Sequence, residues 1–494
     1  MKVAELAKEI NALSVIGRVD AEALDVTHDS RASAPGTVFV AIRGEKIDAH
    51  RFIPQVAELG AVAVISERDA AEGEVAPVWI KVSNARAALA QASAAVHMHP
   101  SQKLKLVGIT GTNGKTTTAH LIDSIIRAVE GTSAMFGTIN HHIGNESITA
   151  KHTTPEAPDI QRMLARALTV GCQSAVMEVS SHSIELHRAD ALSFAVAVFT
   201  NLTRDHLDYH QTMESYFNAK KRLFDGSLGV VPGKIVINID DEYGRRLLEE
   251  ARGEKISYGF AENADVRTNE FNLSAKGTEF TAITPKGQIA VRASLVGRPH
   301  VYNILAAIAT GLALGFDPER IASGVEACRS VAGRFEQVMF EGKHQPGFTV
   351  VVDYAHTDDA LKNVLQTARE VAGTGRLITV FGCGGDRDRT KRAPMGEIAS
   401  SLSDVAIATS DNPRTEDPEA IIADIEVGLK RTERPYLKIT DRRKAIFRAI
   451  EEARIGDIVV IAGKGHETYQ ILGDHTIHFD DREVAREALS GRFD

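Results

Sequence analysis

Thr110-Gly111-Thr112-Asn113-Gly114-Lys115-Thr116-Thr117-Thr118 stands between the β-rich run Lys105–Thr110 and an amphipathic run opening at Lys115. Strand, glycine loop and helix in that order read as a phosphate-binding loop. The glycines let backbone N–H groups turn toward a phosphate, and the start of the helix favours its negative charge. Lys115 has the reach to contact β- and γ-phosphates, and the Thr116 hydroxyl suits Mg²⁺. The pattern G-x-x-x-x-G-K-S/T is met except at its first glycine, where Ile109 stands. The bland alternative is a glycine turn capping a helix. ATP binding is the expectation, over Gly111, Thr112, Asn113, Gly114, Lys115, Thr116 and Thr117.

Outward from this loop, strands and helices alternate. Upstream lie expected strands at Thr37–Ile42, Ala61–Ser66 and Val78–Val82, a helix around Phe52–Leu59 and an Ala-rich helix from Asn84. A break follows at His97-Met98-His99-Pro100, a helix end with proline just beyond. Downstream come strands at Ser174–Val179 and Phe194–Phe199, then short antiparallel strands between Asp265 and Val296. After Gly333-Arg334 the pattern restarts: strand Thr349–Asp353, helix from Asp358, and strands Leu377–Phe381, Val405–Thr409 and Asp457–Ala462. The fold class is α/β with parallel sheets. At roughly 100–200 residues per domain, 494 residues make three domains: 1–99, 100–332 and 333–494.

Lys and Arg number 57 against 66 Asp and Glu, a net charge of −9, which argues against nucleic-acid binding. Three scattered cysteines exclude a disulfide framework and fit a reducing cytoplasm. The charged start MKVAELAKEI lacks a signal peptide's apolar core, and the apolar stretch Ile304–Phe316 is too short to span a bilayer. A cytoplasmic multidomain enzyme without membrane insertion is expected.

Glu178 ends an apolar strand, where a carboxylate beside a phosphate loop suits Mg²⁺. His206 lies in Asn201-Leu202-Thr203-Arg204-Asp205-His206. Lys220, in Tyr216-Phe217-Asn218-Ala219-Lys220-Lys221-Arg222, reads alone as a solvated helix lysine. Gly382-Cys383-Gly384-Gly385 is a weak glycine cluster with no acidic strand end to support a dinucleotide.

G-T-N-G-K-T after V-G-I-T resembles the Mur ligase family and its folylpolyglutamate synthetase relatives, and the resemblance covers the whole chain. It implies ATP-dependent amide-bond formation. It also implies an N-terminal α/β UDP-binding domain, a central P-loop ATPase-type domain with added antiparallel strands, and a C-terminal Rossmann-like domain. The resemblance makes Thr116, Glu178, His206 and Lys220 magnesium ligands, Lys220 as a CO₂-derived carbamate (N6-carboxylysine). Such a change is chemically sensible, since a neutral amine gains a carboxylate. Asn303 resembles the adenine-side asparagine. Arg334 in Gly333-Arg334-Phe335-Glu336 reaches ATP phosphates across the domain boundary, and Asp353 in Asp353-Tyr354-Ala355-His356 belongs to the nucleotide side. Asp358 stands where the family usually shows proline.

Ser410-Asp411-Asn412-Pro413-Arg414 resembles the signature of members that add meso-diaminopimelate. Arg414 can fork onto a distal carboxylate that lysine lacks. The resemblance adds Arg387 as a second carboxylate-binding arginine, with Gly463 and Glu467 at the ammonium end. For UDP-N-acetylmuramoyl-L-alanyl-D-glutamate it implies contacts from His28, Ser30, Glu45, Lys46, Ile47, Thr153, Thr154, Ser180 and Arg188. Glu45 stands where histidine is frequent, and Leu186 replaces a glutamine of some members. The implied reaction passes through an acyl phosphate, with Lys115 and Arg334 offsetting charge and the amine's proton acceptor left open. A monomer is expected. The competing readings are an L-lysine-adding ligase of the same family and a nucleotide-binding regulator without turnover.

Overall fold

The computed structural model describes residues 1–44, 47–70, 76–274, 276–340 and 345–493. In its first part, neighbouring residues of short apolar strands point to opposite faces, and both faces are covered. Val38, Val40, Ile65 and Ile80 pack with Leu6 and Leu89 of the helices Val3–Glu9 and Ala85–Val96. Phe39, Val64 and Trp79 pack on the other side with Ile53 and Val56 of the helix Ile53–Glu58. The five strands are ordered Ser14–Gly17, Val78–Lys81, Ala63–Ser66, Thr37–Val40, Asp25–Thr27, and Ser14–Gly17 alone runs antiparallel. Asn84 caps the Ala-rich helix by accepting from the Ala87 N–H, and the chain leaves it through Met98 and His99, both with positive φ.

Among the described residues the second sheet has twelve strands. At its centre Lys105–Thr110 lies between Ser174–Glu178 and Val196–Phe199, all parallel. Lys234–Asn238 and Glu254–Gly259 extend it in parallel on one side. Asn140–Ile143 and Glu146–Thr149 form an antiparallel hairpin at the other end. Between 266 and 293 the chain adds the expected short strands, with Gly277–Thr284 pairing antiparallel to both Phe271–Ser274 and Gly287–Ala293. Val107, Ile109, Val176 and Val198 face the helices Lys115–Glu130 and Arg298–Ala313, while Leu106, Ala175, Met177 and Phe199 face Ala157–Thr169 and Met213–Lys221.

The third sheet runs Glu336–Gln337, Thr349–Asp353, Ile458–Ala462, Leu377–Phe381, Val405–Ala408, Tyr436–Lys438, parallel except at its first strand. Its strands read as near-continuous apolar runs because helices cover both faces. A small hairpin, Tyr469–Leu472 with His475–His478, follows the last central strand. No helix among the described residues is long and apolar enough to cross a membrane.

Candidate active site

The strands Lys105–Thr110, Ser174–Glu178 and Val196–Phe199 end side by side, so the loops leaving their C-terminal ends converge. The phosphate loop is tied down from the third of these. The Asn113 N–H donates to Asn201 Oδ1 (2.9 Å), and the Asn113 carbonyl accepts from Thr200 Oγ1 (2.7 Å) and Asn201 Nδ2 (3.1 Å). Gly114 takes φ +86° just before the helix Lys115–Glu130, and a Cβ there would overlap Asn303 Oδ1. A side chain is therefore excluded twice, by the backbone and by the neighbour. Asn303 is buried against the loop, where its Oδ1 accepts from Thr118 Oγ1 at 3.4 Å.

Two lysines meet at one carbonyl. Lys115 Nζ folds back to donate to the carbonyls of Gly111 (2.9 Å) and Thr112 (2.8 Å). Lys220 Nζ donates to the same Gly111 carbonyl at 2.9 Å, with the Tyr216 ring 4.6 Å away. The helix Met213–Lys221 buries Lys220 to 1% exposure. Burial pushes its amine well below the ordinary lysine range, and the charge of Lys115 adds to this against the pull of Asp205. The shift is toward the neutral amine. Burial lowers Lys115 as well, while Glu178 and Asp205 favour its charge.

Glu178, 1% exposed, accepts from Thr116 Oγ1 (3.0 Å), the Thr138 N–H (2.8 Å) and Thr138 Oγ1 (3.1 Å). Arg334 comes from the chain segment leading into the third sheet. Its Nη2 donates to Thr116 Oγ1 at 3.3 Å, and its guanidinium lies over the Tyr354 ring at 4.8 Å. Asp353 uses its oxygens to accept from the N–H groups of Phe335 (2.6 Å) and Ala355 (2.8 Å), so it braces the turn that carries Arg334. Thr116 and Glu178 present hard oxygen donors 3.0 Å apart beside the loop, a set that fits Mg²⁺. His206 is not joined to that pair. Its Nε2 lies 3.4 Å from Asp205 Oδ2 and its ring 4.8 Å from that of His182. Desolvation, opposed by Asp205, pushes it down to about 4, although its side chain is 45% exposed. Among the described residues no three His, Cys, Asp or Glu side chains close on one point.

A hydrogen-bonded network leads away from Glu178. Thr138 Oγ1 meets Thr153 Oγ1 at 3.0 Å, Thr154 Oγ1 donates to the Glu178 carbonyl at 2.8 Å, and the Ser180 N–H donates to Thr154 Oγ1 at 3.1 Å. Ser180 Oγ caps the short helix Ser181–Glu185, and Arg188 Nη1 donates to the Thr154 carbonyl at 3.2 Å. Arg188 Nε is buried without a partner among the described residues. In the first sheet, Ser30 opens a turn capped by Asp29, His28 Nδ1 is buried without a partner among the described residues, and Ile47 is exposed. Glu45 and Lys46 lie outside the described residues. This sheet reaches the second through Asp25, 3.0 Å from Arg162.

The third sheet has its own convergence of strand ends. Asp411 Oδ1 accepts from the Asn412 N–H at 2.6 Å, shaping the Asp-Asn-Pro turn. Gly463 has φ +119°, and a Cβ there would stand 2.6 Å from Asp411 Oδ2. Pro413 is buried. Arg414 Nη1 donates to the Gly385 carbonyl at 2.8 Å. A Cβ on Gly384 would lie 3.0 Å from Arg414 Nη1 and 3.8 Å from Arg387 Cγ, so both arginines flank that glycine, Arg387 on the exposed side. Opposite, Asn412 Nδ2 donates to Glu467 Oε2 at 3.0 Å. Lys464, absent from the sequence-derived set, donates to that same oxygen; its signal was a lysine following a buried strand within Gly463-Lys464-Gly465. The third sheet also touches the loop directly: Asn113 Nδ2 donates to Asp359 Oδ2 at 3.0 Å, and Asp358 pairs with Arg204 at 3.2 Å.

Three family models match the chain: "Mur ligase family, catalytic domain" over residues 25–97, "Mur ligase middle domain" over 109–311, and "Mur ligase, glutamate ligase domain" over 333–465. A relative from Solibacter usitatus is 50% identical over 470 residues, spanning 95% of this chain and 94% of the relative. The chain is a Mur ligase. That relative is named UDP-N-acetylmuramoyl-L-alanyl-D-glutamate–2,6-diaminopimelate ligase, as is one from Geobacter metallireducens, 46% identical over 99% of this chain and 98% of its own length. A solved structure of a ligase of that name superposes on this Mur ligase with a TM-score of 0.72 at 33% identity, covering 100% of this chain and 99% of its own.

Proposed function

We propose that this Mur ligase uses ATP to join meso-2,6-diaminopimelate to the D-glutamate γ-carboxylate of UDP-N-acetylmuramoyl-L-alanyl-D-glutamate, in peptidoglycan precursor synthesis. The γ-carboxylate attacks the γ-phosphorus of ATP, giving an acyl phosphate and ADP. The diaminopimelate amine then attacks the acyl carbon, phosphate leaves, and the amine's proton passes to a base near the site. Phosphoryl transfer of this kind is mainly positioning and electrostatics. Lys115 turns from the Gly111 and Thr112 carbonyls to the phosphates, and Arg334 brings a second positive charge from the third sheet's side. Asn303 and Asp353 act on the nucleotide side by holding the loop and the Arg334 turn. Thr116 and Glu178 would hold Mg²⁺, with His206 and a Lys220 carbamate as further ligands, and the bound ion would neutralise phosphate charge. Lys220 becomes that carbamate when its neutral amine adds to CO₂ and releases a proton.

His28, Ser30, Ile47, Thr153, Thr154, Ser180 and Arg188 are assigned to the UDP-muramoyl dipeptide, and the last four are supported by their network to Glu178. The three sheets support a division at 1–99, 100–332 and 333–494. One observation carries the acceptor: Arg387 and Arg414 flank Gly384 while Glu467 lies across the Asn412 turn. Both signs of charge lie about the Asn412 turn, as a distal centre with a carboxylate and an ammonium requires. L-Lysine would leave the arginines unmatched.

The test is phosphate release from ATP with Mg²⁺ and the UDP-muramoyl dipeptide, adding diaminopimelate or L-lysine separately. Release dependent on diaminopimelate alone is expected. Turnover with lysine would overturn the arginine argument, and silence with both would point to another Mur-type ligase or to a nucleotide-binding regulator.

A further inference from the structure

Lys464 is fully buried, 0% exposed, directly after the strand Ile458–Ala462 and Gly463. A buried ammonium is costly unless its donors are used. Lys464 Nζ donates to Asn412 Oδ1 at 3.2 Å and Glu467 Oε2 at 3.0 Å, with the Tyr469 ring 5.5 Å away. Asn412 closes the triangle through its Nδ2, and its Oδ1 also accepts from the Ile471 N–H at 3.0 Å. That second acceptor role fixes which way the Asn412 amide faces. Both donors fall on Glu467 Oε2; among the described residues no hydrogen bond reaches Oε1.

Arg442, also buried, is taken by Asp481 in a two-point pair at 2.8 and 2.6 Å. Lys464 pairs with Glu467 at 3.0 Å, and its charge also acts on Asp411. Burial would raise the Asp411 carboxyl, but the charges of Lys464 and Arg442 hold it below its ordinary value.

We propose that Lys464 is a positioning residue for the amino-acid acceptor: it locks Asn412 and Glu467 so that Glu467 Oε1 is held out to the acceptor's distal ammonium. This rests on the diaminopimelate reading above. Lys464 touches no reacting atom; it acts through Glu467.

The experiment measures Lys464→Met and Lys464→Gln in the full-length enzyme, varying diaminopimelate at saturating ATP and UDP-muramoyl dipeptide. Calorimetric nucleotide affinity and the thermal midpoint are measured alongside. The KM for diaminopimelate should rise about tenfold or more in Lys464→Met, the scale of one charge-assisted hydrogen bond. The kcat and the KM for ATP should stay within about threefold, and Lys464→Gln, which keeps a donor, should recover part of the loss. In a Glu467→Gln background, adding Lys464→Met should cost less than about threefold, because coupled residues are not additive. An unchanged KM for diaminopimelate, or full additivity with Glu467→Gln, would overturn the proposal. So would equal loss of nucleotide binding in both Lys464 variants, which would mark a purely structural lysine. Failure of the unmodified enzyme to use diaminopimelate would appear before any variant is compared, and would overturn the substrate reading itself.

Discussion

Replacing Glu178 by glutamine separates the charge of this residue from its hydrogen bonds. Glu178 accepts three of them, from the Thr138 N–H and from the hydroxyls of Thr116 and Thr138. The amide oxygen of glutamine keeps the first. Its NH₂ replaces Oε2, and the two hydroxyls can rotate to accept from it. The structural cost is therefore about 1–2 kcal/mol, the difference between charged and neutral hydrogen bonds. The cost to the reaction is much larger, because a preorganised buried charge beside the transferring phosphoryl group is lost. Removing one such group costs about 100–1000-fold in turnover.

A second consequence follows at Lys115. Burial already lowers its amine, and Glu178 is the first of the charges that oppose this. Without that charge the amine falls further and loses its proton at lower pH. The alkaline limb of kcat/KM for ATP should then move to lower pH in Glu178→Gln. The assay is phosphate release with all substrates present, from acid to alkaline pH, beside a urea unfolding curve. Activity within about threefold of the unmodified enzyme would refute the role given to the charge. Destabilisation above about 4 kcal/mol would show that Glu178 is chiefly a structural post.

Lys220→Met should fold, since the buried lysine stem is replaced by an apolar chain of similar length, yet lose activity by about 100-fold or more. The unmodified enzyme should lose activity on removal of CO₂ and regain it with bicarbonate, and isotopically labelled CO₂ should give a carbamate NMR signal absent from the variant; indifference to CO₂ would refute the carbamate. Arg414→Lys loses the fork that grips a carboxylate, so the KM for diaminopimelate should rise about 10–100-fold while that for ATP holds, and an unchanged KM would remove Arg414 from the pocket. Asp358 and Arg204 have side chains 24% and 48% exposed, so their pair contributes below about 1 kcal/mol; Asp358→Pro should alter turnover less than about twofold, and a large loss in kinetics would reveal a functional latch. Arg442→Met strands the fully buried Asp481 carboxylate and should cost about 3–5 kcal/mol in urea unfolding, whereas a loss under about 1 kcal/mol would contradict the ion-pair account.

The elements that the sequence announces are those whose burial is two-sided and local. Lys105–Thr110, Thr349–Asp353 and Leu377–Phe381 have their expected bounds, because covered parallel strands are apolar throughout. Gly277–Thr284 falls within the antiparallel stretch expected between Asp265 and Val296, with Phe280 and Ala282 inward and Glu279 and Thr281 outward. The strands Asn140–Ile143 and Glu146–Thr149 were not, because their hairpin mixes histidine, serine and glutamate with few apolar residues. Tyr436–Lys438 is three residues long, too short for any period. The same contrast holds in the site. The strand, glycine turn and helix around Gly111–Lys115 form a contiguous motif, and that local structure was legible whole. The bracing of Thr116 by Arg334 joins positions 218 apart, and the Asn412–Glu467 and Asn412–Lys464 contacts join positions 55 and 52 apart. Sequence placed Arg334, Asn412 and Glu467 only through the family resemblance. Lys464 and the packing of Asn303 under Gly114 needed the folded chain.

The most direct measurement follows one oxygen atom. The UDP-muramoyl dipeptide is prepared with isotopically heavy oxygen in its γ-carboxylate and turned over with ATP and diaminopimelate, and the released phosphate is analysed by mass spectrometry. Attack by the carboxylate on ATP predicts that each phosphate released carries one heavy oxygen, and only when diaminopimelate is present. Phosphate free of the label would contradict the acyl-phosphate route on which the assignment of Lys115, Glu178 and Arg334 depends.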